Sequence, residues 1–116
     1  MKVKVTRFEE AKPYTAKGHD VTIHTMHLQH KSMGCEAPYW VGNSYYLPGA
    51  SAEMSASPLD KIYVMLEGEL TIELGNSEIV KLGKGDSIWI GQDEKRSIIN
   101  KSNKVASMLV IMPYPA

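Results

Sequence analysis

Short runs of β-branched and aromatic residues recur along this chain about every ten residues, and clusters of glycine, proline, asparagine and aspartate separate them. Apolar residues in these runs alternate with a period of two, which indicates strands, and no segment carries a convincing amphipathic helical pattern. We therefore predict an all-β fold, an antiparallel β-sandwich or β-barrel. The predicted strands are Val21 to Leu28, Tyr39 to Leu47, Lys61 to Leu74 with a break at Glu67 to Glu69, Glu78 to Leu82, Ser87 to Ile90, Arg96 to Asn100 and Val105 to Met112.

Length and charge limit what this chain can be. Its 116 residues suit one hydrophobic core, so we predict a single domain over residues 1–116. The 13 basic and 13 acidic residues cancel, so no net positive field favours nucleic acid or a membrane surface as a partner. The single cysteine, Cys35, cannot form an intrachain disulfide, and Met1 to Glu10 lacks the apolar run of a signal peptide. We expect a soluble cytoplasmic protein.

The stretch from Gly49 to Asn100 resembles the two consensus motifs of the cupin superfamily at their expected spacing. Gly49 and Gly68 stand at the two glycine positions of the first motif. The second motif corresponds to GDSIWIGQDEKRSIIN, in which Gly85 and Asn100 match. The resemblance covers roughly half of the chain, and it implies a jelly-roll β-barrel.

In cupins, four positions of these motifs hold three imidazoles and one carboxylate that bind a divalent metal, and this chain differs at all four. A protonated lysine and a guanidinium offer only donor hydrogens and would repel a metal ion. We therefore predict no metal and no other cofactor. The alternative is a distorted site that recruits Glu53 or Asp60, in a metal-dependent cupin enzyme such as an isomerase, dioxygenase or decarboxylase. The residues at the four positions are Ser55, Ser57, Lys61 and Arg96.

If the cupin register holds, Lys61 and Arg96 both point into the barrel. At about 4 Å their repulsion would be on the order of 4 kcal/mol at an effective dielectric of about 20, so an acidic neighbour or a bound anion must offset it. We predict a small carboxylate or phosphate ligand, with arginine supplying a bidentate fork. Strand parity adds Tyr63 and Met65 to the same face. The predicted ligand-binding residues are Ser55, Ser57, Lys61, Tyr63, Met65 and Arg96.

Two metal-free functions remain open from the sequence. The first is a binding protein that holds the anion as a sensor or carrier. The second is an enzyme in which Lys61 acts as a base or forms an imine with a carbonyl substrate, with its pKa lowered by Arg96 and by partial burial. In that enzyme Tyr63 would assist proton transfer. The structural alternative is that Lys61 and Arg96 are surface residues.

The resemblance to small cupins also implies a homodimer. Val3 and Val5 lie in a strand-like terminus that would join a sheet edge, and unpaired edges are prone to association.

Three histidines, His24, His27 and His30, suggest a metal cluster at first sight. On a strand, His24 and His30 share one face and His27 points away from both, so we predict no metal site from them.

Several aromatic residues are candidates for a cavity wall. Trp40, Tyr63 and Trp89 either line a ligand cavity or fill the core. Tyr45 and Tyr46 are neighbours on one strand, so only one of them faces the interior, and the sequence leaves open which one.

Overall fold

Ten strands form in the computed structural model, which describes residues 1–16, 18–19 and 21–116. Two short 3-10 turns, Phe8–Glu10 and Lys31–Met33, are the other regular elements of this part of the chain. The strands are β1 Lys12–Tyr14, β2 Ile23–Gln29, β3 Tyr39–Tyr46, β4 Ser51–Ser55, β5 Lys61–Glu67, β6 Leu70–Leu74, β7 Ile79–Leu82, β8 Ser87–Ile90, β9 Arg96–Ile99 and β10 Ala106–Pro113.

The strands build two antiparallel sheets. The larger sheet has the order β1-β2-β3-β10-β5-β8, and the smaller has the order β4-β9-β6-β7. Alternate side chains of both sheets meet in a common core, and those less than 2% exposed include Tyr46, Met65, Leu70, Ile72, Ile98 and Met108. The predicted all-β antiparallel sandwich or barrel of the jelly-roll type is confirmed. No helix in the described ranges is long and apolar enough to span a membrane.

Strand alternation settles which tyrosine of the aromatic strand faces inward. Tyr46 is 0% exposed and belongs to the core, whereas Tyr45 is half-buried on the opposite face of β3. On β5, Lys61, Tyr63 and Met65 are all buried, which confirms their shared parity.

The break predicted at Glu67 to Glu69 is the point where the chain leaves the larger sheet for the smaller one. Gly68 lies between β5 and β6 with φ of 73°, in the left-handed region. A Cβ atom at Gly68 would lie 2.8 Å from the backbone oxygen of Val105. Glycine is therefore required at this position of the first cupin motif, because both the left-handed turn and the close backbone approach exclude a side chain.

The expectation that Val3 and Val5 lie in a terminal strand is wrong. Residues 1–7 form no strand, and Val3 and Val5 are 72% and 59% exposed. The segment is held by a side-chain contact, in which Gln29 Nε2 donates to the backbone oxygen of Lys4 at 2.9 Å. The turn at Phe8–Glu10 then redirects the chain, and the sheet edge is taken by β1 instead.

The homodimer stays a prediction, and we propose an exposed apolar pair on the larger sheet as its contact. Ile62 and Trp89 are cross-strand partners on β5 and β8, and they are 40% and 70% exposed. Large contiguous apolar patches mark surfaces that associate, and this pair would be the centre of such a patch. We expect light scattering to give twice the chain mass of 12.9 kDa. A single-chain mass across micromolar concentrations would contradict the dimer.

Candidate functional site

A cavity of about 240 Å³ lies between the two sheets, close to the first residues of β5 and β9. Its wall combines aromatic rings, apolar side chains and two cations. The lining residues used below are Tyr14, Trp40, Ser44, Tyr46, Ser57, Lys61, Tyr63, Arg96, Met108 and Val110.

Both sheets contribute to the polar end of this cavity. Lys61 opens β5 of the larger sheet, and Tyr63 follows on the same face. Arg96 opens β9 of the smaller sheet, where its register partner on β4 is Ser55. Ser57 belongs to the loop between β4 and β5, and its backbone oxygen accepts from the Asp93 N–H at 2.8 Å. The strand starts and this loop contact bring the predicted residues together.

Arg96 is fixed by a set of neutral partners. Its Nε donates to the Tyr63 hydroxyl at 3.0 Å, and its Nη1 donates to Ser55 Oγ at 3.1 Å and to the backbone oxygen of Glu53 at 3.5 Å. A guanidinium has five N–H donors, so the Nη2 pair remains for another acceptor. The orientation of the fork is therefore set before any ligand arrives.

Lys61 is buried, and among the described residues its amine has one side-chain hydrogen-bond partner. The residue is 4% exposed, and its Nζ donates to Ser57 Oγ at 3.2 Å. Ser57 Oγ in turn contacts the backbone of Leu59, donating to its oxygen at 3.2 Å and accepting from its N–H at 3.3 Å. Burial, and then the positive charge of Arg96, lower the pKa of Lys61 below its ordinary value.

Neither carboxylate considered from the sequence neutralises these cations. Glu53 contributes its backbone oxygen to Arg96, and Asp60 Oδ1 accepts from Trp89 Nε1 at 3.0 Å. Among residues 1–16, 18–19 and 21–116, the one ion pair joins Lys84 and Glu67 at 3.5 Å. Within the described chain, Lys61 and Arg96 therefore have hydrogen bonds to neutral groups and no acidic partner.

The metal that cupins bind does not fit this donor set. The residues at the four motif positions present two hydroxyls, one amine and one guanidinium, and the last two carry positive charge. The described residues also contain no group of three histidine, cysteine, aspartate or glutamate side chains close enough to hold a metal.

The six predicted ligand-binding residues lie at different positions relative to the cavity. Ser57, Lys61, Tyr63 and Arg96 line the cavity. Ser55 stands outside the lining residues, exposed and bonded to Arg96. Met65 is 1% exposed in the core and is not among the lining residues.

Trp40 and Trp89 have different surroundings. Trp40 lines the cavity, and its ring lies over Gly42, where a Cβ atom would come within 2.8 Å of it. Trp89 instead borders an open surface groove of about 660 Å³. We favour the smaller cavity as the functional site because Lys61, Tyr63 and Arg96 converge there.

The sequence reasoning missed Tyr14 and Ser44 as cavity residues. Tyr14 belongs to β1, a three-residue strand that contains a proline, and its burial raises its pKa to about 12. Ser44 shares the inward parity of Tyr46 on β3, so strand periodicity was a signal that could have identified it.

The expectation that His27 and His30 point to opposite faces is wrong. The His27 ring stacks between Tyr14, at 4.1 Å, and His30, at 3.9 Å between ring centroids. The pairing of β2 with β3 shifts between His27 and Gln29, and β2 ends at Gln29, so simple alternation fails there.

This histidine stack should make the protein less stable in mild acid. Burial, and then the charge of His30, lower the pKa of His27 to about 4. An unfolded histidine has a pKa of about 6.5, so the unfolded chain binds a proton first as the pH falls. The stability is therefore complete above about pH 6.5 and declines between that pH and about 4.

We expect the melting temperature of the wild type to fall as the pH is lowered from about 6.5 to about 4. The melting temperature of His27→Phe should fall less steeply. His24→Gln is the matched control, because His24 is exposed on the same strand. Equal slopes for His27→Phe and the wild type would contradict this account.

The comparisons with known proteins agree with the jelly-roll fold of this chain. The family model described as the cupin domain matches residues 44–112. A protein of Mycobacterium tuberculosis (strain ATCC 25618 / H37Rv) named beta-D-galactosidase is 37% identical over 113 residues, which cover 97% of this chain and 96% of that protein.

Solved structures share the fold at lower identity. The polyketide cyclase RemF from Streptomyces resistomycificus superposes with a TM-score of 0.84 at 17% identity, covering 96% of this chain and 79% of that one. A structure described as a predicted oxalate decarboxylase from Thermotoga maritima gives a TM-score of 0.80 at 22% identity, covering 97% of this chain and 100% of that one. Because the cupin domain model matches residues 44–112, more than half of this chain, we conclude that this chain belongs to the cupin family.

Proposed function

We propose that the cavity binds one small organic anion, a carboxylate or a phosphate, without a metal ion. The observation that carries this proposal is the pair of cations on its wall. Lys61 and Arg96 line the same cavity, and neither has an ion pair within the described residues. A charge removed from water without a counter-charge is costly, and a bound anion would lower that cost for the buried Lys61 and, to a smaller extent, for the half-buried Arg96.

The hydrogen-bond geometry also favours an anion. Arg96 is already oriented by Tyr63 and Ser55, so its free Nη2 group can donate to an oxygen of the acid group without reorganisation of the side chain. Each charge-assisted hydrogen bond contributes roughly 1.5 to 3 kcal/mol. Two or three of them, with apolar contacts to the rest of the ligand, suffice for about micromolar affinity.

The size and walls of the cavity indicate a small ligand. A volume of about 240 Å³ lies below the usual range of drug-sized sites. Trp40 and Tyr14 form an aromatic wall, with ring centroids 5.6 Å apart, and Met108 and Val110 add apolar surface. The organic part of the ligand would pack against these groups.

Thermal shift against small carboxylates and phosphates tests the proposal. Chelator-treated protein should be stabilised by acids of this class and not by the matched amides or alcohols, which keep the shape and lose the charge. Galacturonate against galactose is one such pair. No stabilisation by any anion, or equal stabilisation by the neutral partners, would contradict an anion site.

The purified protein should carry no stoichiometric transition metal, because the four motif positions supply neither imidazole nor carboxylate. Elemental analysis measures this directly. Near one equivalent of iron, zinc, manganese or nickel, lost on chelation together with stability, would favour the alternative of a metal-dependent cupin enzyme. The candidate metal ligands would then be Glu53, Asp60 and the histidines.

A catalytic role of the same site is distinguished from simple binding by chemical trapping. The lowered pKa of Lys61 favours the neutral amine that forms imines with carbonyl compounds. Borohydride with a set of aldehydes and ketones would add a stable mass to Lys61 in such an enzyme. A protein that only binds its ligand gives no adduct.

A second candidate function is hydrolysis of β-D-galactosides, and the relative named beta-D-galactosidase supports it at 37% identity over nearly the whole chain. Most glycosidases use two carboxylates, and the described lining residues of the cavity include none. Within this cavity Tyr63 is the candidate nucleophile, as in glycosidases that use a tyrosine. Release of nitrophenol from a nitrophenyl β-D-galactoside, lost in Tyr63→Phe, would favour this function over plain anion binding.

A further inference from the structure

Tyr46 is a buried polar residue of the cavity that anion binding by Lys61 and Arg96 leaves unused. It is 0% exposed and belongs to the cavity wall. Its hydroxyl has no hydrogen-bond partner among the residues that the structure describes. An unpaired buried hydroxyl costs free energy, so this one requires a partner that the cavity can hold.

Neighbouring tyrosines differ from Tyr46 in this respect. The Tyr63 hydroxyl accepts from Arg96 Nε at 3.0 Å. The Tyr45 hydroxyl, on the other face of β3, accepts from Asn43 Nδ2 at 3.3 Å. The core could have held phenylalanine at position 46 without the unpaired group, so the hydroxyl itself requires an explanation.

The protonation state of Tyr46 defines the partner that it can take. Burial raises the pKa of Tyr46 well above its ordinary value, and the nearby Tyr63 raises it further. The phenol therefore remains protonated and can donate its hydrogen. The complementary ligand group is an oxygen acceptor, either a carbonyl or a hydroxyl.

We propose that Tyr46 donates a hydrogen bond to an oxo or hydroxyl oxygen of the bound anion, so that the ligand is an oxo acid or a hydroxy acid. This inference rests on the proposed function, because the acid group itself is held by Lys61 and Arg96. With the acid group held by Lys61 and Arg96 alone, a plain carboxylic acid of the same length would leave the Tyr46 hydroxyl unpaired. Sites built around a buried polar group discriminate against analogues that lack its partner.

Calorimetric titration with pentanoate, the hydroxypentanoate isomers and the oxopentanoate isomers tests the inference. The wild type should bind at least one oxygenated acid about tenfold more tightly than pentanoate, the effect of one well-formed hydrogen bond. In Tyr46→Phe this preference should disappear, while the affinity for pentanoate stays within about twofold. Tyr45→Phe is the matched control, and it should keep the preference.

The unliganded protein supplies a second measurement. Because Tyr46→Phe removes an unpaired polar group and keeps the ring, its melting temperature should equal or exceed that of the wild type. A clear decrease would show that the hydroxyl has a structural partner, and it would overturn the inference.

The outcomes separate this inference from the anion site. Equal affinity of the wild type for pentanoate and its oxygenated derivatives, with binding at least tenfold weaker in Arg96→Met, would support the anion site and overturn the role of Tyr46. A preference for oxygenated acids over pentanoate that persists in Tyr46→Phe would also overturn the role of Tyr46. If no acid of either kind binds the wild type, the inference about Tyr46 is wrong, and the thermal shift with phosphates decides whether the anion site stands.

Discussion

Replacing Arg96 with methionine should lower the affinity for an anionic ligand tenfold to a hundredfold, about 1.4 to 2.7 kcal/mol. Methionine keeps much of the volume and removes every N–H donor of the fork. The ligand would retain Lys61 and the aromatic wall, so binding should weaken rather than vanish. Calorimetry with the anion that stabilises the wild type most strongly measures the change.

Arg96→Lys is the matched control for charge. It keeps the positive charge and loses the bidentate geometry, so its affinity should fall between those of the wild type and Arg96→Met. Unchanged ligand affinity in Arg96→Met would mean that the guanidinium lines the cavity without binding the ligand, and the proposed anion site would be wrong.

Arg96→Met has two opposing effects on stability. Relief of Lys61 from a like-charged neighbour would by itself leave stability unchanged or improve it. Arg96 also donates to the buried Tyr63 hydroxyl at 3.0 Å, and an orphaned hydroxyl costs about 1 to 3 kcal/mol. We now expect a net loss, which the double variant Arg96→Met/Tyr63→Phe should recover in part.

Replacing Asn100 with alanine should destabilise the protein by about 3 to 5 kcal/mol. Asn100 is 0% exposed, and its side-chain amide joins two parts of the chain. Its Nδ2 donates to the backbone oxygens of Tyr46 at 2.9 Å and Lys104 at 2.7 Å. Its Oδ1 accepts from the N–H and the hydroxyl of Ser102 at 3.0 Å and 2.7 Å. Alanine removes all four bonds and leaves buried groups unpaired.

Urea unfolding measures this loss, and Asn103→Ala is the matched control. Asn103 lies in the same turn and is exposed, so its replacement should change the free energy of unfolding by less than about 0.5 kcal/mol. A loss below about 1 kcal/mol for Asn100→Ala would show that the Asn100 amide contributes little to the fold.

The strands that the sequence predicted are those with clear alternation. On β5, Lys61, Tyr63 and Met65 face inward in turn, and this pattern was visible before the structure. The missed strands have weak patterns: β1 is three residues long with a central proline, and β4 reads SAEMS, with small and polar residues of low β-propensity. Pairing with β2 and with β9 forms these two strands, and pairing is not visible locally.

The site was predictable where a motif fixed the register and unpredictable where contact depended on distant elements. The two glycine-framed motifs brought Ser57, Lys61 and Arg96 to one end of the barrel, as the sequence indicated. The link from Arg96 to Tyr63 joins the two sheets across 33 positions, so spacing alone could not reveal it. The bulge after His27 likewise depends on pairing with β3.

The most direct test of the central claim is a calorimetric titration of chelator-treated protein with the anion that gives the largest thermal shift. We predict about micromolar binding of one anion per chain, unchanged by added metal and at least tenfold weaker in Arg96→Met. Binding that appears only after a divalent metal is restored, or that is the same in wild type and Arg96→Met, would contradict a metal-free anion site at Lys61 and Arg96.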